Sequence, residues 1–226
     1  MHPLAQTRAW IFDLDNTLYS PHSDIFPQIH RRMSEFIMQR FSMDEEAAGK
    51  QREDYFYRYG TTMRGLMAEH KVDPIDFMNF VHDVDLSAVA PEPRLARALE
   101  NLPGRKLVFT NADRRHAKRI LDHLNLTALF PDIFDIADGN YLCKPETAPY
   151  EALLQRYGLN AADCCMVEDM EANLRPAAAL GMRTLWRRHD AAWLRHKPKE
   201  AHFYPHCHYI TDDLIPFLEN LHRVAA

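Results

Sequence analysis

Two carboxylates one residue apart, Asp13 and Asp15, follow directly on the apolar run Ala9-Trp10-Ile11-Phe12. On a strand, residues i and i+2 point to the same side, so both acids start out facing one way. Anions placed so repel each other unless a cation or a proton is shared. Other chemically capable residues recur at comparable places: Thr110-Asn111 after Lys106 to Phe109, Glu168-Asp169 after Cys164 to Val167, and Lys144 in a loop before a helix. Carboxylates from two strands can hold Mg²⁺, a hard ion that takes oxygen ligands and keeps several waters. A hydroxyl, an amide and an ammonium suit the equatorial oxygens of a phosphoryl group. The set of residue types points to phosphoryl transfer. Phosphate monoesters hydrolyse so slowly that catalysis can reach ~10²¹-fold, or roughly 28 kcal/mol, more than any one group supplies.

These residues meet only if their strands lie side by side with their C-terminal ends along one edge, as in an open α/β sheet. From residue 91 onward, strand and helix patterns alternate, which argues for a parallel sheet covered on both faces. Strands are expected at 8 to 12, 106 to 109, 133 to 136, 164 to 167 and 183 to 186, with a last short strand and helix in 208 to 221. Helices are expected at 113 to 124 (Ala117, Ile120, Leu121 and Leu124 inward), before Gly158, and before Gly181. Between the first two strands the pattern is helical for about 85 residues. Ile25, Ile29, Met33, Phe36, Ile37 and Phe41 make one apolar face, Ser42-x-x-Glu45 reads as a capping box, Gly60 ends the next helix, and Asp73-Pro74 opens another, with Ile75, Phe77, Met78, Phe80 and Val81 following. The spacing predicts a core of 1–19 and 91–226 with a helical insert at 20–90.

Composition narrows the function classes. The 226 residues are 46% hydrophobic with a net charge of -5, which gives no electrostatic footprint for a nucleic-acid polymer or an anionic membrane. Residues 1 to 8 lack an apolar signal region, and no apolar run approaches the ~20 residues of a membrane-spanning helix. Cys143, Cys164, Cys165 and Cys207 form no CxxC pair and read as buried thiols of a cytoplasmic protein. The expected partner is a small phosphorylated metabolite, and the oligomeric state stays open.

The order of these groups resembles the haloacid dehalogenase-like hydrolases along essentially the whole chain. Asp13-Leu14-Asp15-Asn16-Thr17-Leu18 is similar to that family's first motif, Phe109-Thr110-Asn111 to its second, Lys144-Pro145 to its third, and Val167-Glu168-Asp169 to its fourth. The resemblance implies a Rossmann-like parallel sheet core flanked by helices, with a helical cap inserted after the first strand. It implies Asp13 as the nucleophile that forms an aspartyl-phosphate, and Asp15 as general acid and then general base. Mg²⁺ would be held by the Asp13 and Asp169 carboxylates and the Asp15 main-chain carbonyl, with Glu168 acting through a coordinated water. Thr110, the backbone at Asn111, and Lys144 would bind the phosphoryl group. Dehalogenases of this fold need only the nucleophile, because halide leaves without protonation, so Asp15 favours phosphate esters. A phosphomutase of the β-phosphoglucomutase type, a phosphatase for a sugar phosphate or phosphoglycolate, and a chain without turnover are the alternatives.

Within the insert, Tyr59-Gly60-Thr61-Thr62-Met63-Arg64-Gly65-Leu66 and His70-Lys71-Val72-Asp73-Pro74 resemble the cap of the pyrimidine 5′-nucleotidase branch, which dephosphorylates monophosphates of uracil and cytosine. Thr61, Thr62 and Arg64 are then candidates for substrate selection. The same run also reads as a helix–helix corner capped by Gly60. Tyr19 either stacks on a base or serves as a hinge side chain, and Asn173 either steadies the fourth-motif loop or is a polar residue at a helix start. Arg114, Arg115, His116, Lys118 and Arg119 read as a solvated helix face. His202, His206 and His208 with Cys207 offer zinc ligand types without a closed four-ligand spacing.

Overall fold

A computed structural model describes residues 3–191 and 204–223. The chain divides into two compact units, Met1–His22 with Val89–Ala226, and Ser23–Ala88. Among the described residues, the first contains six strands: β1 (Ala9–Phe12), β2 (Arg105–Phe109), β3 (Asp132–Phe134), β4 (Cys164–Glu168), β5 (Arg183–Arg187) and β6 (Tyr209–Thr211). All neighbours pair in parallel, in the order β3-β2-β1-β4-β5-β6. Strand order therefore reverses between β1 and β4, and the crevice beyond their C-terminal ends is where a doubly wound sheet binds its ligand. This is the Rossmann-like α/β core that the alternating pattern predicts.

The helices are α1 (Ile25–Phe41), α2 (Glu45–Tyr59), α3 (Thr62–His70) and α4 (Pro74–Val81) in the second unit. The first holds α5 (Pro93–Glu100), α6 (Arg114–His123), α7 (Thr147–Tyr157), α8 (Glu171–Ala179) and α9 (Leu214–Arg223). Every residue of β1 and β4 is buried, as unbroken apolar runs in a parallel sheet covered on both faces should be. Cys164 and Cys165 point to opposite faces and both are wholly buried; none of the four cysteines is disulfide-bonded. On one face, Ile11, Phe109, Met166, Tyr150, Leu153 and Leu174 close the core. β3 stops at Phe134, two residues short of the expected end. There the Asp135 carboxylate accepts from the Asp138 N–H, and Asp138 accepts from the Asp135 N–H, turning the chain.

The helical unit corrects one cap. Ser42 does not open α2: it sits in the left-handed region (φ 53°) and closes α1. A residue so placed cannot hold the extended backbone an N-cap needs, and Asp44 takes that role, accepting from the Ala47 N–H at 2.8 Å. Gly60 closes α2 at φ 84° and Asp73-Pro74 opens α4, as read from the sequence. Of the apolar residues that follow, Ile75 is exposed, whereas Phe77, Met78 and Val81 are buried. Between α2 and α3 lies a tight corner. Thr61 caps α3 by accepting from the Arg64 N–H, Thr62 donates to the Arg52 carbonyl, and Gly65 passes so near the Tyr55 ring that a Cβ there would lie 2.3 Å from it. Among the described residues, no helix is long and apolar enough to cross a membrane.

Candidate active site at the β1–β4 crevice

The ladder between β1 and β4 runs one bond beyond the strand, with the Asp13 N–H donating to the Val167 carbonyl at 2.9 Å. That bond sets Asp13 at the mouth of the crevice, 6% exposed, beside Glu168 and Asp169 at the end of β4. Carboxylate oxygens of Asp13, Glu168 and Asp169 lie within 4.8 Å of one another. Burial of these charges pushes all three carboxyls up to about 7, and the neighbouring anions add to the effect.

Lys144 enters from the loop before α7, with a cis peptide to Pro145. Its Nζ donates to Asp13 Oδ1 at 2.7 Å, Glu168 Oε1 at 2.8 Å and the Phe109 carbonyl at 2.9 Å. An ammonium has three N–H groups, and these three acceptors use all of them. Burial alone would lower its proton affinity, but Asp13 and Glu168 outweigh that and hold it above the ordinary lysine value. Asn111 fixes this loop: its side chain accepts from the Lys144 N–H at 2.8 Å and donates to the Lys144 carbonyl at 3.2 Å. The phosphoryl contact was expected from the Asn111 main chain, and the side-chain amide is committed to placing the lysine. Thr110 is buried beside Asn111, its hydroxyl accepting from the Ala112 N–H at 2.9 Å.

The other predicted residues fall around this centre. Asn173, in the first turn of α8, donates to Glu168 Oε1 at 2.7 Å, so its side chain does bear on the fourth-motif loop. Tyr19 donates its hydroxyl to Asp15 Oδ1 at 2.8 Å and is 5% exposed, so the base-stacking alternative loses its support. Asp15 does not join the carboxylate cluster with its side chain, which turns to Tyr19 and to the ring of His116 at 2.9 Å. Thr61, Thr62 and Arg64 belong to the helical unit, where both threonine hydroxyls serve the α2–α3 corner.

Several residues of this centre escaped sequence reasoning. His116 is 1% exposed, against the expectation of a solvated face. Its position, one turn before Ile120 and next to Ala117, places it on the inward stripe of α6, but the surrounding basic residues masked the period. Arg114 is only partly exposed, its guanidinium donating to the Ile133 carbonyl at 2.7 Å and to Asp138, whereas Arg115 and Lys118 are exposed as expected. Arg187, at the end of β5, donates to the carbonyls of Asn16, Thr17 (3.0 Å) and Tyr19 (2.5 Å), gathering the turn after β1 around one guanidinium. Asn16 occupies the left-handed region there (φ 63°), and Thr17 donates to Asp13 Oδ2 at 2.9 Å. His189 Nδ1 accepts from the Ala191 N–H at 3.3 Å, which puts the ring proton on Nε2, 3.1 Å from Asp169 Oδ2. Burial, with the Arg187 charge, drops His189 to about 4, so it meets Asp169 as a neutral donor. The Asp169 carbonyl accepts from Trp186 Nε1 at 2.8 Å.

The histidine cluster resolves into ordinary contacts. His206 Nε2 lies 2.6 Å from Glu171, His208 Nδ1 lies 2.8 Å from the Thr184 hydroxyl, and Cys207 is buried. His202 lies outside the described residues.

A model of the haloacid dehalogenase-like hydrolase family matches residues 7–181. The chain belongs to that family. Its sequence is 28% identical over 191 residues to Phosphate metabolism protein 8 of Saccharomyces cerevisiae, an alignment covering 77% of this chain and 60% of the yeast protein. The chain thus spans about 60% of the length of that curated relative. Two solved structures of the same fold illustrate the spread of chemistry across it. A HAD phosphatase from Thermococcus onnurineus superposes with a TM-score of 0.64 at 14% identity, covering 97% of this chain and 98% of that one. L-2-haloacid dehalogenase from Xanthobacter autotrophicus, with chloropropionic acid covalently bound, gives a TM-score of 0.58 at 14% identity, covering 96% and 98%. For a haloacid dehalogenase-like hydrolase, the Asp13–Lys144–Glu168–Asp169 cluster is the candidate active site, and it can accept a metal ion: three carboxylates and one ammonium leave an anionic excess that a divalent cation would balance.

Proposed function

We propose that the chain is a Mg²⁺-dependent phosphomonoester hydrolase working through an aspartyl-phosphate at Asp13, with pyrimidine nucleoside 5′-monophosphates as its substrate class. The observation that carries the phosphatase reading is the pairing of two differently placed carboxylates. Asp13 is buried against Lys144, and Asp15 is turned away into contact with two side-chain donors. Halide departs as an anion and needs no proton, so a second, separately held carboxyl has work only where an alkoxide leaves.

In the first step an Asp13 oxygen forms a bond to phosphorus as the ester P–O bond breaks, and Asp15 gives its proton to the departing oxygen. In the second, Asp15 takes a proton from water, the water oxygen bonds to phosphorus, and the Asp13–phosphorus bond breaks. Phosphate and an alcohol leave, and both aspartates return to their starting states. The Thr110 hydroxyl and the main chain at Asn111 bind the phosphoryl oxygens, and Lys144, its three N–H groups taken by protein acceptors, meets them as a positive charge while it and Thr17 hold the Asp13 carboxylate in line. Asp13, Asp169 and the Asp15 carbonyl, with Glu168 through a water, would hold Mg²⁺, which supplies charge neutralisation and polarises the phosphoryl oxygens. His189 supports Asp169 from behind. The nucleotide class is supported by the Tyr59-to-Leu66 run and the His70-to-Pro74 run of the helical unit, proposed to act as a cap that excludes water.

A phosphate-release screen with Mg²⁺ over UMP, CMP, AMP, phosphoglycolate and sugar phosphates tests this directly. Release from UMP and CMP, lost in excess EDTA and restored by Mg²⁺, is the expected result. Full activity in EDTA would exclude the metal, a rearranged sugar phosphate as product would identify a mutase, and inertness toward every ester would end the proposal.

The metal also has a signature in stability. Carboxyls pushed up to about 7 keep protons in the folded state that the unfolded chain has already lost. The metal-free protein therefore loses this stability as pH rises from about 4 through about 7. Mg²⁺ takes the place of those protons, so its stabilising effect should be small at about pH 5.5 and large at about pH 8. At about 100 times its Kd, the gain at the higher pH is expected to be about 5–10 °C in Tm, read by thermal shift with and without MgCl2. An equal gain at both pH values would separate the carboxylate cluster from the metal.

A further inference from the structure

We infer that His116 is a positioning residue for Asp15: its Nε2–H, buried on the inward face of α6, shares Asp15 Oδ1 with the Tyr19 hydroxyl and so fixes which carboxyl oxygen faces the leaving group. The inference deepens the proposed function, since it rests on Asp15 being the proton carrier.

His116 reaches Asp15 across 101 residues of sequence at 2.9 Å, and its side chain is fully buried while that of Asp15 keeps 15% exposure. The carboxyl is thus pinned from the protein side and open toward solvent. A carboxylate carries no N–H or O–H, so in this contact the ring must be the donor. Tyr19 supplies the second donor at 2.8 Å, and burial, with the Asp15 charge, holds the Tyr19 proton far more tightly than usual. Two donors on one oxygen fix the carboxyl plane and direct proton transfer to Oδ2.

Both donors are themselves anchored. The N–H of His116 is capped by Asp113 at 2.9 Å. The preceding residues of α6 are tied to the β3 end, where the Arg114 N–H donates to Asp135 at 2.9 Å and its side chain to the Ile133 carbonyl at 2.7 Å. Tyr19 is fixed through its carbonyl, which Arg187 holds at 2.5 Å. A ring that merely filled the core would not require an aligned carboxylate partner, nor a second donor converging on the same oxygen. Burying polar groups is costly unless they are satisfied, and here the satisfaction is spent on the proposed acid.

The test compares leaving groups. A nucleoside monophosphate expels an alkoxide that needs a proton, whereas p-nitrophenyl phosphate expels a stabilised phenolate that does not. With His116→Leu, single-turnover leaving-group release from UMP is expected to fall about 10²-fold. Release of p-nitrophenolate should fall less than about fivefold, with KM for UMP nearly unchanged. His116→Gln, whose amide can donate from a similar distance, should recover most of the UMP loss. Equal losses on both substrates, or no loss on either, in a variant whose Tm shows it folded would overturn the inference. If His116→Leu does not fold, His116→Asn and Tyr19→Phe decide by the same split, the first having too short a donor and the second lacking one. Inertness of the unsubstituted protein toward both esters would instead sink the proposed function, and leave Asp15 without a proton to carry.

Discussion

Asp13→Asn should cost about 10⁴- to 10⁶-fold in turnover while leaving the protein at least as stable in metal-free buffer near pH 8. The two halves of this result come from one cause. Burial pushes the Asp13 carboxyl up to about 7, so near pH 8 the folded chain must hold an anion it accommodates poorly beside Glu168 and Asp169. An amide of the same shape removes that charge and can still accept the Thr17 hydroxyl bond, and Lys144 keeps Glu168 and the Phe109 carbonyl. A neutral amide oxygen, however, is a poor nucleophile toward phosphorus, so no covalent intermediate forms. The checks are phosphate release from UMP, thermal melts without metal, and the mass of acid-quenched protein, which should carry phosphate only with Asp13 present. Turnover within tenfold of the unsubstituted protein would remove Asp13 from the mechanism.

Lys144→Met is expected to be the most destabilising single change at the site. Its ammonium neutralises two carboxylates that are themselves buried, and removing one partner of such a pair typically costs about 3–5 kcal/mol. For a chain of this size that corresponds to a fall of about 6–20 °C in Tm near neutral pH. The sign with pH follows from the lysine's raised proton affinity: its contribution is fully present at neutral pH and is lost only as pH climbs through its folded value, above the ordinary range. In the variant, Asp13 and Glu168 face each other without the cation that holds their proton affinity down, so they protonate more readily than in the unsubstituted protein, and lowering the pH should restore part of the loss. Saturating Mg²⁺ should do the same. Turnover should fall about 10²- to 10³-fold even where the fold is rescued, because the positive charge that holds Asp13 in place is gone. Arginine is no substitute, since a planar fork cannot occupy a 1%-exposed slot shaped to three convergent acceptors. An unchanged melting temperature would show that the three contacts do not bear on stability.

What could be read without coordinates follows from how local each signal is. The unbroken apolar runs at β1 and β4 announce buried parallel strands, and the polar residues that end them are visible as abrupt changes of type. Gly60 and Asp73-Pro74 declare helix ends because their backbone chemistry acts over one or two residues. Ser42 misled because the same pattern serves a helix start or a helix stop, and only the turn geometry between α1 and α2 selects between them. His116 was hidden for a related reason: four basic neighbours look like a wet face, yet a step of one residue, about 100° round the helix, separates Arg115, which faces water, from His116, which faces Asp15.

The sequence by itself determined the strand–helix alternation, the order of the acidic, hydroxyl and lysine groups, and through them the family, since residue type and short-range spacing suffice for each. Only the tertiary structure decided who touches whom: that Asn111 braces Lys144, that Arg187 gathers the turn after β1, that His189 backs Asp169, and that His116 and Tyr19 converge on one oxygen of Asp15. All but the Tyr19 contact join residues set by sheet order and strand register, and a side chain's partner across 20 to 170 residues leaves no periodic trace in the chain that carries it.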